Sequence, residues 1–121
     1  MTLKQHLTVL ASMVLLCSVV LIATQTQAAN PVLVSVDVLE PKDRTVIGLT
    51  KQNFKVLEDG IEQTITAFRE QGNGYEISYT STNTSKDGKW RTIRVNLVDL
   101  PAGLPALRVR AKQGYYADKP Q

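Results

Sequence analysis

Arg94, Arg108, Arg110 and Lys112 are the residues whose type and spacing first suggest chemistry. The last three alternate at a period of two, so a β-strand would project them from one face. Arg94 on a neighbouring strand would extend the stripe if the register aligns them. Such a stripe can meet an anionic polymer, lipid headgroups or an acidic protein. It is also what any half-exposed strand looks like, and charged edges resist aggregation, so a solvated face is the simpler reading. Tyr75, Tyr79, Trp90, Tyr115 and Tyr116 form a second set that could line a carbohydrate or peptide groove. A small domain with little else large to fill it needs most of them for its core and for covering strand ends. Glu58 and Asp59 are adjacent carboxylates that would make a calcium corner if Asp37 or Asp87 came close. Calcium takes about six to eight oxygens and the chain has no D-x-D-x-D-G loop, which favours a hairpin turn there. Asn83-Thr84-Ser85 fits a glycosylation acceptor that matters only in a eukaryotic secretory route.

Other chemistries are removed by where the reactive residues fall. His6 and Cys17 are the only histidine and cysteine, and both lie within residues 1–29, which read as an export signal. Lys4 supplies the positive start, 7–23 is an apolar run relieved by Thr8, Ser12 and Ser18, and small residues near Ala28 and Ala29 suit a signal peptidase. The competing reading is an uncleaved anchor: 17 residues at about 1.5 Å rise span about 25 Å, a little short of a bilayer core of about 30 Å. Leu16 before Cys17 argues against lipidation. Cleavage after Ala29 would leave residues 30–121, enough for one domain with a modest core. That domain has no Ser-His or Cys-His pair, no zinc site of the usual type and no disulfide. Scattered carboxylates alone make a weak case for a hydrolase. No cofactor is implied. The formal charge of +3 falls to +2 without Lys4, too weak a bias to imply nucleic acid.

The elements that must position these residues read as strands. Val32, Val34, Val36 and Val38 alternate with Leu33, Ser35, Asp37 and Leu39, giving a β-branched face before Pro41 breaks the run. Thr50 can open a single helical turn. Phe54 and Val56 share one strand face, and Asp59-Gly60 then predicts a tight hairpin with 61–68 as the returning strand. Tyr75, Ile77 and Tyr79 share a face, as do Ile93, Val95 and Leu97, and then Leu107, Val109 and Ala111. Pro101 and Pro105 stiffen the loop before the last of these, and Gly114 predicts a bulge or kink. About seven or eight short strands at this spacing predict an all-β fold, a small antiparallel β-sandwich, Ig-like or a partly closed barrel.

Several spaced residues carry a family likeness. Gly48, Leu49, Thr50, Phe54, Val56, Glu58, Asp59, Gly60, Gln63, Ile65 and Phe68 resemble G-L-T-x-x-D-F-x-V-x-E-D-G followed by an x-Q-x-I-x-x-F strand. Asn53 stands where the acidic residue is usual. Further on, Tyr75, Ile77, Tyr79 and Asn83 resemble Y-x-L-x-Y-x-x-x-N. Asp87, Gly88, Trp90, Arg91, Ile93 and Val95 resemble D-G-x-[WF]-R-x-I-x-V. Val109 to Ala111 and Gly114 to Ala117 resemble V-R-A-x-x-G-Y-Y-A. These motifs are similar to the flanks of a bacterial family built around a von Willebrand factor A-like domain, which in that family sits between them. Here Gln71-Gly72-Asn73-Gly74 joins the flanks directly, and the family's D-x-S-x-S adhesion motif is absent, so no metal-site residue carries over. If the flanks fold together, an inserted domain would leave and re-enter at neighbouring points, and a glycine-containing hairpin could close the gap at small entropic cost.

The expectation is a non-enzymatic exported β domain for protein interaction or envelope scaffolding, periplasmic or extracellular. A carbohydrate- or polyanion-binding module is the alternative, and a remnant without a selected role is a third. The expected partner is an envelope or extracellular protein, with membrane contact only if 7–23 persists as an anchor.

Overall fold

The computed structural model describes residues 29–121. The expected signal helix, with His6 and Cys17, lies outside the described residues.

The chain is a small all-β sandwich of two antiparallel sheets, with nine strands among the described residues. Strand β1 (Val32–Glu40) is the spine of the first sheet. A single 3-10 turn, Pro41–Asp43, follows it and leads to the short β2 (Arg44–Thr45). The second sheet starts with β3 (Phe54–Glu58) and β4 (Ile61–Gln63). The chain then returns to the first sheet as the hairpin β5 (Ile65–Gln71) and β6 (Gly74–Tyr79). Strand β7 (Trp90–Leu97) joins the second sheet, β8 (Arg108–Ala111) the first, and β9 (Gly114–Tyr116) the second.

Two runs, 61–68, which reads as one strand, and 107–116, which reads as a strand with a bulge or kink at Gly114, are divided between the sheets. The expected strand 61–68 breaks at Thr64: β4 pairs with β3, while β5 pairs with β6. The last run breaks at Lys112 and Gln113, so that β8 pairs with β1 and β9 with β7. At the first break the inward phase passes from Gln63 to Ile65 before a bulge between Ile65 and Ala67 shifts it to Phe68, and at the second it passes from Ala111 to Tyr115, so a period of two does not reveal the change of sheet. These crossings curl the sandwich toward a partly closed barrel.

Burial follows the alternation. Val34, Val36 and Val38 are buried from β1, Phe54 and Val56 from β3, Tyr75, Ile77 and Tyr79 from β6, and Ile93 and Val95 from β7. Phe54, Phe68 and Tyr75 meet ring to ring at 5.0–5.7 Å between centroids. The helical turn expected at Thr50 forms as Lys51–Asn53. Asn53 Oδ1 accepts the Thr50 backbone N–H at 2.9 Å, while its Nδ2 donates to the Asp99 carbonyl at 2.9 Å. An aspartate could not make the second bond, so the asparagine ties the turn to the loop after β7.

Two turns match their sequence signals. Asp59 and Gly60 both have positive φ, +48° and +82°, the type I′ pattern that suits the twist of paired strands. At the junction, Gln71 pairs with Gly74 across Gly72 and Asn73, and only Gly72 of the two has positive φ, +60°. Glycine at the first central position marks a type II′ hairpin. Gly74 is needed for a different reason: a Cβ there would lie 2.8 Å from both Asp37 Oδ1 and the Val36 carbonyl oxygen. We expect Gly74→Ala to lower the unfolding free energy by about 1–3 kcal/mol by overpacking, read as a fall in urea midpoint at unchanged slope.

Candidate functional site

Glu58 lies in phase with Phe54 and Val56, so the strand that buries those side chains buries its carboxylate as well, to 2% exposure. Three hydroxyls compensate. Tyr79 of β6 donates to Oε2 at 2.7 Å, Tyr115 of β9 donates to the same oxygen at 2.9 Å, and Ser81 donates to Oε1. The carboxylate thus joins β3 in the second sheet to β6 in the first and holds β9 against both. Burial pushes both phenols above their ordinary ionisation range, and their hydrogen bonds to Glu58 act in the same direction. Tyr115 feels an opposing pull from its Ser81 contact.

Asp59 turns the other way and accepts the Thr92 backbone N–H at 2.8 Å. Arg91, 4% exposed, donates to Asp87 Oδ1 at 3.0 Å and to the Ser85 carbonyl at 3.1 Å. Its Nε is buried without a hydrogen-bond partner among the described residues. The Asp87 carboxyl is held below its usual value chiefly by the Lys89 backbone N–H, with Arg91 adding to the effect. The carboxylates considered for a calcium corner are therefore engaged separately: Glu58 by hydroxyls, Asp59 by backbone, Asp87 by Arg91 and Asp37 by Arg110.

The aromatic set divides. Tyr75 and Tyr79 are 2% and 0% exposed, so they serve the core, as expected of most of the set, and the alternative that places them on an aromatic surface is corrected. Tyr75 donates its hydroxyl to the Val46 carbonyl at 2.8 Å and accepts the Leu49 N–H at 3.2 Å, pinning the segment before β3. Tyr115 is half-buried on Glu58. Only Trp90 and Tyr116 remain well exposed, and they pair edge to face at 4.9 Å.

The basic set divides too. Arg108 and Arg110 project beside β1 and are ion-paired, Arg108 with Asp43 and Arg110 with Asp37 at 2.8 Å. Arg94 belongs to the other sheet, opposite Leu57 of β3. Strands β7 and β8 are not paired, so no ladder register aligns the four residues. Arg94 and Lys112 instead flank a groove of about 390 Å³ between β7 and β8, with Val95, Val109 and Ala111 also lining it and Trp90 at one end. Both are exposed and neither has a carboxylate partner among the described residues.

The sequence reading missed Glu58 as a hub although the signal was present, a carboxylate two residues beyond Val56 on the inward face. It missed the groove because the groove depends on which strands fail to pair. No family model, no curated protein and no solved structure matches the chain.

Two outcomes follow from the Glu58 hub. Glu58→Gln offers one oxygen to three hydroxyls and buries new amide donors, which should cost about 1–3 kcal/mol in denaturant unfolding. The raised phenols give a pH dependence: above the ordinary tyrosine value of 10.0 the folded state binds more protons than the unfolded chain. Stability from these groups is complete below that value and is lost as pH rises toward the folded ones. The urea midpoint should fall between about pH 9.5 and about pH 11.5, and fall less steeply in Tyr79→Phe, which lacks one of the titrating phenols.

Proposed function

We propose that this chain is an exported, non-catalytic β domain that binds another protein at the cell envelope or outside the cell. The groove between β7 and β8 carries the reading. It combines a partly apolar floor, an aromatic end at Trp90 and two cations with no carboxylate partner among the described residues, Lys112 lying over the Tyr115 ring at 5.8 Å, whereas Arg91, Arg108 and Arg110 are tied to carboxylates of this chain. The non-catalytic part rests on Glu58, whose carboxylate is held by three hydroxyls in the core rather than offered to a substrate.

The resemblance to flanks of von Willebrand factor A-related proteins adds a second element, that the fold is a host frame. Gln71 and Gly74 are ladder partners, so a domain inserted between them would enter and leave at adjacent points. Lengthening a loop costs only about 0.6 kcal/mol per doubling. A small folded domain inserted between Gly72 and Asn73 should therefore leave the host cooperatively folded, with its own thermal transition moved by only a few degrees. Loss of that transition would remove the host-frame reading.

Carbohydrate or polyanion binding is the second reading, favoured by the exposed Trp90 and Tyr116 pair beside the groove. A photo-cross-linking residue at Lys112, with one at exposed Leu33 on β1 as control, separates the readings in envelope preparations from the native cell. A discrete protein adduct from position 112 and none from 33 is expected. Recovery of polysaccharide alone transfers the groove to the second reading, and equal labelling from both positions removes both.

A further inference from the structure

We infer that the groove accepts an extended, acidic segment of the partner protein as an added strand on the free edge of β7. The inference rests on the protein-binding reading above and specifies how the partner is held.

Backbone polarity is the first support. The Ile93 N–H donates to the Gln113 carbonyl at 2.8 Å, so the peptide groups of Ile93 point toward β9. Along a strand these groups alternate in direction, which sends those of Val95 and Leu97 to the same side. Pairing of β7 on that side reaches only to Ile93, because β9 gives way to β8 at Lys112 and Gln113 and β8 belongs to the other sheet. On β8 the same logic applies. The Val46 N–H donates to the Val38 carbonyl, placing the peptide groups of Val36 and Val38 on the β2 and β6 side and those of Asp37 and Leu39 on the β8 side. Arg108 and Arg110 therefore bond β1, and the peptide groups of Val109 and Ala111 point away from it, toward the groove. Among the described residues no backbone partner meets either set. Two unpaired strand edges thus diverge from the Ile93 and Gln113 contact.

The second support is side-chain pattern. A strand added beside β7 would alternate one face toward Val95 and Val109 on the floor and the other toward solvent, where Arg94 and Lys112 stand. The complementary segment is apolar at every second position and acidic between. The groove volume is at the lower end of the about 300–1,000 Å³ usual for ligand sites, which suits a short stretch of chain rather than a folded element. Strand addition draws affinity from main-chain bonds and selects through alternate side chains.

The probe is a blocked octapeptide alternating valine and glutamate, added to the protein and followed residue by residue by NMR and amide exchange. At about ten times Kd, exchange at the Val95 and Leu97 amides should slow about tenfold. Arg94→Glu combined with Lys112→Glu, both surface changes, should weaken binding about tenfold. Equal binding of the lysine counterpart, or of the peptide N-methylated at alternate residues, would overturn the inference, the first by denying charge selection and the second by denying strand pairing. So would protection of the same amides that grows with protein concentration alone, which would assign the edge to a second copy. A protein adduct from position 112 without peptide addition leaves the protein-binding reading standing and removes only the strand mode. Peptide addition without any adduct does the reverse.

Discussion

The arrangement of this domain depends on where a buried carboxylate finds its hydrogen bonds. An ionisable group removed from water costs several kcal/mol unless its lone pairs are met. Glu58 is met by hydroxyls from β6, from β9 and from the loop after β6, which lie on both sheets. Satisfying that one side chain therefore requires the two sheets to close at this end, and requires the chain after β8 to cross back and place Tyr115. Nonpolar packing alone would tolerate a slide of one sheet over the other; three directional bonds to one carboxylate do not. The tyrosines in the motif-like segments accordingly serve as fasteners: Tyr75 fixes the segment around Val46, and Tyr79 and Tyr115 fix Glu58.

Much of this was legible in the sequence because its signals are local. Period-two alternation located β1, β3, β6 and β7, and Asp59-Gly60 and Gly72-Asn73 located two hairpins whose φ angles only particular residues adopt readily. The sheet crossings at Thr64 and Lys112 were not legible. A strand that leaves one sheet for another keeps its inward face inward, so hydrophobic pattern is blind to the change. Glu58 was half legible: its phase gave its direction, but the hydroxyls that make its burial tolerable come from 21, 23 and 57 residues away.

Charge shows the same division between local and distant information. The alternation of Arg108, Arg110 and Lys112 correctly implied an outward face, yet the fate of each cation was decided by β1 and the turn after it. Asp37 and Asp43 lie across from the first two, and no carboxylate of the described residues lies across from Lys112 or Arg94. Exposed pairs of this sort contribute about 0–1 kcal/mol each, so their effect on the fold is slight. Their effect on recognition is larger, because they neutralise half of the basic set and leave the remaining charge at the groove.

The groove itself follows from the crossing that serves Glu58. For Tyr115 to reach the carboxylate, the chain must pass from β8 in the first sheet to β9 in the second, and β7 loses its neighbour where the passage begins. Unpaired edges of this kind invite association, and cations placed beside them ordinarily limit it. Arg94 and Lys112 would repel a second basic edge while attracting an acidic one, so the feature that protects the domain from indiscriminate pairing also defines which partner strand it admits. Core closure and partner selection are then two consequences of one chain path, and weakening the Glu58 hub should loosen the β9 end of the groove before it disturbs β1.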